Sequence, residues 1–95
     1  PDYYRHAGPT PADVFLLVEV SDTTLAYDRD VKLPLYAQAG VPEVWLVDLT
    51  GQLVLVFREP VGDRYGDTLT YRLGERISPQ AFPDISLAVD DLLGT

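Results

Sequence analysis

The sequence of 95 residues contains no cysteine. Disulfide bonds and thiolate metal sites are therefore excluded. A chain without cysteine is typical of a reducing compartment, and we expect a cytoplasmic protein. Hydrophobic residues make up 46% of the chain, which is enough for one small core at this length. We therefore predict that residues 1–95 form a single domain.

Basic residues are also scarce. The chain has 7 Lys and Arg against 15 Asp and Glu, and its formal net charge is −8. Proteins that bind nucleic acids through a basic surface use clusters of Lys and Arg to contact phosphates. The composition argues against a binder of that kind. It is compatible with a site at which a divalent cation neutralises the phosphate.

Long apolar runs are missing as well, since none approaches the roughly 20 residues that cross a bilayer. No charged and then apolar leader opens the chain. Methionine is absent, and residues 1–12, which contain Gly8, Pro9 and Pro11, are predicted to form an opening loop. We expect residue 1 to be an internal position of a longer protein, and this chain to be the C-terminal part of its domain.

The first half of the chain predicts a strand, a helix and a second strand. Residues 14–20 are almost continuously apolar, as in a strand that is covered on both faces. A helix over about residues 25–39 should follow, ending at Gly40, and residues 44–49 should form the second strand. A crossover of this kind is right-handed and makes the two strands parallel neighbours. Pro34 should kink the helix or lie in its first turn.

The predicted helix has four apolar positions on the side that should face the sheet: Leu25, Val31, Leu35 and Ala39. After the second strand, the turn at Thr50-Gly51 and the apolar residues 53–57 predict a hairpin. Residues 58–67 should form a loop before a strand at about residues 68–73. Residues 85–89 are a candidate for a short further strand. The pattern predicts an α/β domain with a mixed sheet, in which a β-α-β crossover precedes a hairpin and a meander.

An acid at the end of the first strand is the main chemical signal. Hydrolysis of a phosphodiester requires oxygen ligands for Mg²⁺, an activated water and a cation near the developing charge. Glu19 and the carbonyl of Val20 would supply two of the ligands. Lys32 could point back to the strand and orient the water or stabilise the charged transition state. These residues indicate a metal-dependent phosphodiesterase.

An ordinary structural interpretation competes with the catalytic one. Asp28 and Lys32 are four residues apart, which is the spacing of a helical ion pair worth a few tenths of a kcal/mol. Glu19 could then be a strand-end acid that faces solvent. Spacing alone leaves both interpretations open.

The second carboxylate ligand is not evident in the sequence. Asp13 and Glu19 would lie on one strand with their Cα atoms roughly 20 Å apart, at about 3.3 Å per residue, so they cannot share a cation. Asp22 is close to Glu19 in sequence but is predicted to cap the helix. Asp2 is not followed by an apolar run. We expect the missing ligand to come from a strand before residue 1.

Other conspicuous side chains have structural interpretations. Trp45 should belong to the core rather than stack on bases. Tyr36, one turn after Lys32, could line the cleft, although a tyrosine at a helix edge needs no function. Asp48 should cap the turn at Thr50-Gly51. Arg58 is expected at a solvated edge, and no role is assigned to His6.

Four motifs carry a resemblance to a known family, namely LVEVSD at residues 17–22, YDR at 27–29, KLPLYA at 32–37 and AGVPEVWLVD at 39–48. Together they resemble the Uma-two family of restriction-endonuclease-type proteins, within the PD-(D/E)xK nuclease superfamily. The resemblance implies a restriction-endonuclease-like mixed sheet and Mg²⁺- or Mn²⁺-dependent cleavage of DNA.

The resemblance also implies roles for particular residues. Glu19 corresponds to a metal ligand and Lys32 to the catalytic lysine, which is displaced from the strand to the helix and leaves Ser21 in its place. An Asp on an upstream strand is implied as the other ligand. The chain alone is therefore expected to be inactive. The main alternative is a non-catalytic interaction module with the same fold, and an exposed strand edge could also pair two copies in a homodimer.

Overall fold

The computed structural model describes residues 14–23 and 25–94, so the predicted opening loop, together with Asp2, His6 and Asp13, lies outside the described residues. The described strands are β1 (Leu17–Ser21), β2 (Glu43–Asp48), β3 (Leu53–Val61), β4 (Arg64–Arg72), β5 (Arg76–Ile77) and β6 (Leu87–Ala88). The helices between β1 and β2 are α1 (Leu25–Tyr27), a π-helical turn (Asp28–Lys32) and α2 (Leu33–Gln38). Helix α3 (Val89–Leu93) follows β6.

The main sheet has the strand order β1-β2-β3-β4. Strands β1 and β2 are parallel, with Glu19 opposite Leu46 and Ser21 opposite Asp48. Strands β2, β3 and β4 are antiparallel neighbours, and β5 and β6 form a separate two-stranded sheet. The predicted crossover, hairpin and meander are therefore confirmed.

The predicted loop over residues 58–67 is wrong. Strands β3 and β4 continue through this segment, and Arg58 pairs with Asp67. The chain reverses only at Gly62, whose φ of 63° suits a tight turn. Glu59 also has a positive φ, of 63°, which is a local irregularity within a long strand rather than its end. The glycines and the proline of this segment were thus poor guides to where the strands stop.

Strand β1 is not covered on both faces. Val18 is 45% exposed and Val20 is 60% exposed, whereas Ser21 on the other face is fully buried. Within the described residues, β1 is the edge strand of the main sheet. One face of β1 therefore packs toward the helices. On the opposite face, Val18 and Val20 form an exposed apolar stripe.

The sheet separates two core clusters. On the helical face the buried residues are Leu33, Ala37, Val41, Val44, Leu46, Phe57 and Tyr65. On the opposite face they are Trp45, Val47, Val54, Val56, Ile77 and Val89. Every residue of β2 is buried, so β2 is the central element of both clusters. Trp45 belongs to the core, as predicted.

The helical segment packs through a different face from the predicted one. Val31 is 45% exposed and Leu35 is 58% exposed, whereas Leu33 and Ala37 are buried. The cause is the π-helical turn, in which the amide of Leu33 donates to the carbonyl of Asp28, five residues earlier. The extra residue in this turn shifts the phase of every following position. Pro34 lies in the first turn of α2, where its missing amide costs little.

Candidate active site

Glu19 and Lys32 meet on the helical face of the sheet. Glu19 lies in the middle of β1, and alternation along the strand places it on the same face as Ser21. Lys32 ends the π-helical turn, and its Nζ lies 3.8 Å from Glu19 Oε2. The two side chains are 25% and 38% exposed, so the pair lies at the border between core and solvent. The fold thus brings together the two residues that the sequence predicted as catalytic.

A buried carboxylate holds the lysine from the other side. Asp28 is 4% exposed, and its Oδ1 lies 3.3 Å from Lys32 Nζ. The hydroxyl of Ser21 donates a hydrogen bond to Asp28 Oδ2. The hydrogen bond to Asp28, together with the charge of Glu19, raises the pKa of Lys32 above its ordinary value. Lys32 therefore remains an ammonium at neutral pH, between two carboxylates.

Tyr36 completes this network, one helical turn after Lys32. Its hydroxyl donates a hydrogen bond of 2.5 Å to Glu19 Oε1. Burial raises the pKa of Tyr36, and the hydrogen bond to Glu19 raises it further. The sequence left open whether this tyrosine lines the cleft or is an edge residue without a function. Its spacing of four residues from Lys32 was the available signal that both side chains face the same strand.

The carbonyl of Val20 faces the outer edge of β1. The amide of Leu49 donates to the carbonyl of Ser21 at 2.9 Å, which places the Ser21 carbonyl on the β2 side. Because carbonyls alternate in direction along a strand, that of Val20 points away from β2. The edge of β1 is therefore the place where the carbonyl of Val20 would be available as a ligand.

The donor set suits a weakly held cation. Glu19, Asp28 and Lys32 together carry one more negative charge than positive charges, which favours a cation. Both oxygens of Asp28 are engaged by Ser21 and Lys32, so Glu19 and Val20 are the oxygen donors that remain. Among residues 14–23 and 25–94, no group of three or more His, Cys, Asp or Glu side chains is arranged to hold a metal. Mg²⁺ accepts such sparse sites because it keeps several waters.

Asp22 does not join this network and does not cap the helix. Its Oδ1 accepts a hydrogen bond of 3.2 Å from the Thr50 hydroxyl, and its carbonyl accepts one of 2.6 Å from the same group. Asp22, Arg29, Asp48 and Thr50 line an open cavity of about 470 Å³ beyond the carboxyl ends of β1 and β2. The residues that line this cavity are close in sequence to the Glu19 network, but none of them belongs to it.

A buried acid on β2, Glu43, was not predicted from the sequence to have a structural role. Glu43 is fully buried and accepts hydrogen bonds from Trp45 Nε1 at 2.9 Å, Arg58 Nε at 2.9 Å and the amide of Gln80 at 2.8 Å. Arg58 also donates to the carbonyl of Ser78 at 3.0 Å. The expectation that Arg58 lies at a solvated edge is therefore wrong, because it neutralises a buried acid.

The turn after β2 is capped as predicted. The amide of Gly51 donates to Asp48 Oδ1 at 3.0 Å. Asp48 is 7% exposed, and an added Cβ at Gly51 would lie 2.3 Å from its Oδ2. A side chain at position 51 would therefore displace the Asp48 carboxylate that caps the turn.

The parallel crossover, the meander and the strand-borne carboxylate are compatible with a restriction-endonuclease-like α/β domain. Residues 1–90 match the Uma2 family, whose description is "Putative restriction endonuclease". The chain therefore belongs to the Uma2 family, and the resemblance found in the motifs is confirmed. A nuclease is the activity that this family description suggests.

Comparison with the curated proteins gave no match. In the part of the chain that the structure describes, no helix is long and apolar enough to cross a membrane.

Proposed function

We propose that this chain forms the Glu19–Lys32 half of a Mg²⁺- or Mn²⁺-dependent DNA endonuclease that hydrolyses phosphodiester bonds. The observation that carries the proposal is the distance of 3.8 Å between Lys32 Nζ and Glu19 Oε2, in a chain whose family is described as a restriction endonuclease. The two residues are 13 positions apart in the sequence, so only the crossover brings them together.

Each residue has a distinct role in this proposal. Glu19 and the carbonyl of Val20 hold the cation, which supplies Lewis-acid stabilisation of the phosphate when it is bound. Lys32 orients the attacking water or neutralises charge that develops on the phosphate. Asp28 and Ser21 keep the ammonium of Lys32 beside Glu19. The proposal also includes a further carboxylate ligand on a strand upstream of β1, as the resemblance implies.

The cation also explains how so acidic a chain could act on DNA. With a net charge of −8, the chain repels phosphates at long range. A bound divalent cation and the ammonium of Lys32 would reverse the local charge at the scissile phosphate. We expect cleavage to depend strongly on the concentration of the metal ion.

The test is plasmid cleavage by the full-length protein. Glu19→Gln should abolish metal-dependent cleavage, and Lys32→Ala should slow it by at least about a hundredfold, or roughly 2.7 kcal/mol of transition-state stabilisation. Arg64→Ala is the matched control, because the side chain of Arg64 is 81% exposed and pairs only weakly with its neighbour Asp63. Normal cleavage by a folded Lys32→Ala protein would contradict the catalytic role of Lys32.

A non-catalytic interaction module is the second candidate. It is favoured by the absence, within the described residues, of a cluster of three or more metal-binding side chains. The exposed Val18 and Val20 on the edge strand would suit pairing with a partner strand or with a second copy of the chain. A full-length protein that is inactive with both Mg²⁺ and Mn²⁺, and whose elution volume depends on its concentration, would favour this candidate.

A further inference from the structure

We infer that Tyr36 is a positioning residue that makes the Glu19 site select Mg²⁺ or Mn²⁺ over Ca²⁺. The inference rests on the proposed metal-binding role of Glu19. Its basis is that the two oxygens of this carboxylate have different surroundings. Oε1 accepts the Tyr36 hydroxyl at 2.5 Å, whereas Oε2 lies 3.8 Å from Lys32 Nζ, beyond hydrogen-bonding distance.

The position of the Tyr36 ring is set by the core. Tyr36 is half-buried and packs against the cluster on the helical face of the sheet. Leu33 and Ala37, on the same side of α2, are buried. The helix cannot rotate away from β1 without exposing these side chains. The hydroxyl of Tyr36 is therefore held at Glu19 Oε1 by packing as well as by its hydrogen bond.

A carboxylate restrained in this way discriminates between divalent cations. Mg²⁺ is small and requires near-octahedral coordination, and it takes one oxygen from each carboxylate while keeping several waters. Ca²⁺ accepts 6–8 oxygen ligands and commonly takes both oxygens of one carboxylate. Binding through both oxygens of Glu19 would compete with the Tyr36 hydroxyl for Oε1. Binding through Oε2 alone would leave that hydrogen bond in place.

The experiment is a pair of titrations, with MgCl₂ and with CaCl₂, of the isotopically labelled chain followed by NMR. The amide signals of residues 19–21 and 32 report binding. Affinities in the millimolar range can be measured in this way, and we expect values no tighter than about millimolar because few protein ligands are present. Glu19→Gln identifies the binding that depends on the carboxylate.

Tyr36→Phe should raise the affinity for Ca²⁺ relative to that for Mg²⁺ by about tenfold, the change that corresponds to losing one hydrogen bond to a charged group. Tyr65→Phe is the matched control. Tyr65 is also a core tyrosine, and its hydroxyl donates at 2.6 Å to the carbonyl of Val41 rather than to the site. Its ratio of affinities should equal that of the unmodified chain. A structural role of Tyr36 alone would weaken both cations equally.

A Tyr36→Phe ratio within about twofold of the unmodified chain would overturn the inference and leave the proposed function standing. Absence of any binding that depends on Glu19, both in this chain and in the full-length protein, would overturn both. If Tyr36→Phe does not fold, the unmodified chain still decides. The ring signals of Tyr36 should change little at saturating Mg²⁺ and shift clearly with Ca²⁺, and an equal shift with both cations would overturn the inference.

Discussion

Two acid–base pairs in this molecule use similar residues in opposite ways. Glu43 and Arg58 lie 2.9 Å apart with the Glu43 side chain fully buried, and both oxygens of Glu43 accept hydrogen bonds from the protein. Glu19 and Lys32 lie 3.8 Å apart, and both side chains are partly exposed. The first pair is saturated, and the second keeps a carboxylate oxygen that is not hydrogen-bonded to its lysine.

The basic residue in each pair, Arg58 or Lys32, agrees with this difference in hydrogen bonding. The planar guanidinium of Arg58 donates in two directions, to Glu43 and to the carbonyl of Ser78, which suits a permanent structural contact. The ammonium of Lys32 is a compact charge on a flexible stem and can follow a substrate or a water. A buried acid is therefore not by itself a sign of catalysis. The useful signs are partial exposure and an incomplete set of hydrogen bonds.

The largest effect is expected at the saturated pair. Glu43→Ala should lower the free energy of unfolding by about 3 kcal/mol, because it leaves Arg58 largely desolvated without its counter-ion. It should also leave the amide of Gln80 without its acceptor. Urea denaturation followed by circular dichroism measures the change.

Glu19→Gln, as the comparison variant, should cost less than about 1 kcal/mol, as expected for a partly exposed pair. Equal losses for Glu43→Ala and Glu19→Gln would remove the distinction between the two pairs. A double variant that also carries Arg58→Ala should lose less than the sum of the two single losses.

An intermediate loss of stability is expected at Ser21, which is buried but contacts the partly exposed Lys32 site through Asp28. Ser21→Ala removes the hydroxyl that donates to Asp28, and both residues are buried. We expect a loss of about 1.5–2 kcal/mol, since the bond is to a charged group. Ser86→Ala is the control, because its hydroxyl accepts a hydrogen bond from Arg76 at an exposed position. A loss as small as that of the control would show that Asp28 is held by its other contacts.

The last expected effect is absent at neutral pH and is a dependence of stability on alkaline pH. Burial raises the pKa of Tyr65 to about 12, from 10.0. A tyrosine whose pKa is raised in the folded state holds its proton more tightly there than in the unfolded chain. Its contribution to stability is therefore complete below pH 10 and is lost as the pH rises to about 12. Thermal unfolding measured between pH 9 and 12 should show this decline.

Tyr65→Phe should make the decline between pH 10 and 12 shallower. Tyr36→Phe should also reduce the slope, because the pKa of Tyr36 is raised by burial and by Glu19. Identical slopes for Tyr65→Phe and the unmodified chain would contradict the assignment.

The parallel crossover could be predicted because it depends on local patterns. Apolar runs of strand length lie on either side of a segment that ends at Gly40. These local features indicate strands and a helix without knowledge of the tertiary contacts. Glu19 and Lys32 could be selected for their chemistry, since an acid in an apolar strand followed by a lysine in a helix is an uncommon combination. Their proximity could not be derived from spacing, because a helical ion pair between Asp28 and Lys32 explained the spacing equally well. In the structure both contacts exist.

The phase of the helix could not be predicted. A regular helix from residue 25 would bury Val31 and Leu35, but both are exposed. The π-helical turn adds one residue and directs Leu33 and Ala37 to the core. Burial of Leu33 and Ala37 against the sheet stabilises this turn. The pattern of apolar residues in the sequence does not show that burial.

The sequence by itself therefore determined the class of fold, the family and the two residues on which the proposed chemistry depends. The tertiary structure decided which acid has both oxygens hydrogen-bonded by the protein and which has an oxygen beyond hydrogen-bonding distance of its lysine. Glu43 is neutralised by Arg58, which lies on the neighbouring strand in register with it, and it accepts a hydrogen bond from the amide of Gln80. Such pairings join residues that are far apart in the chain, and their energies depend on burial. Burial is a property of the assembled core and not of any segment of the sequence.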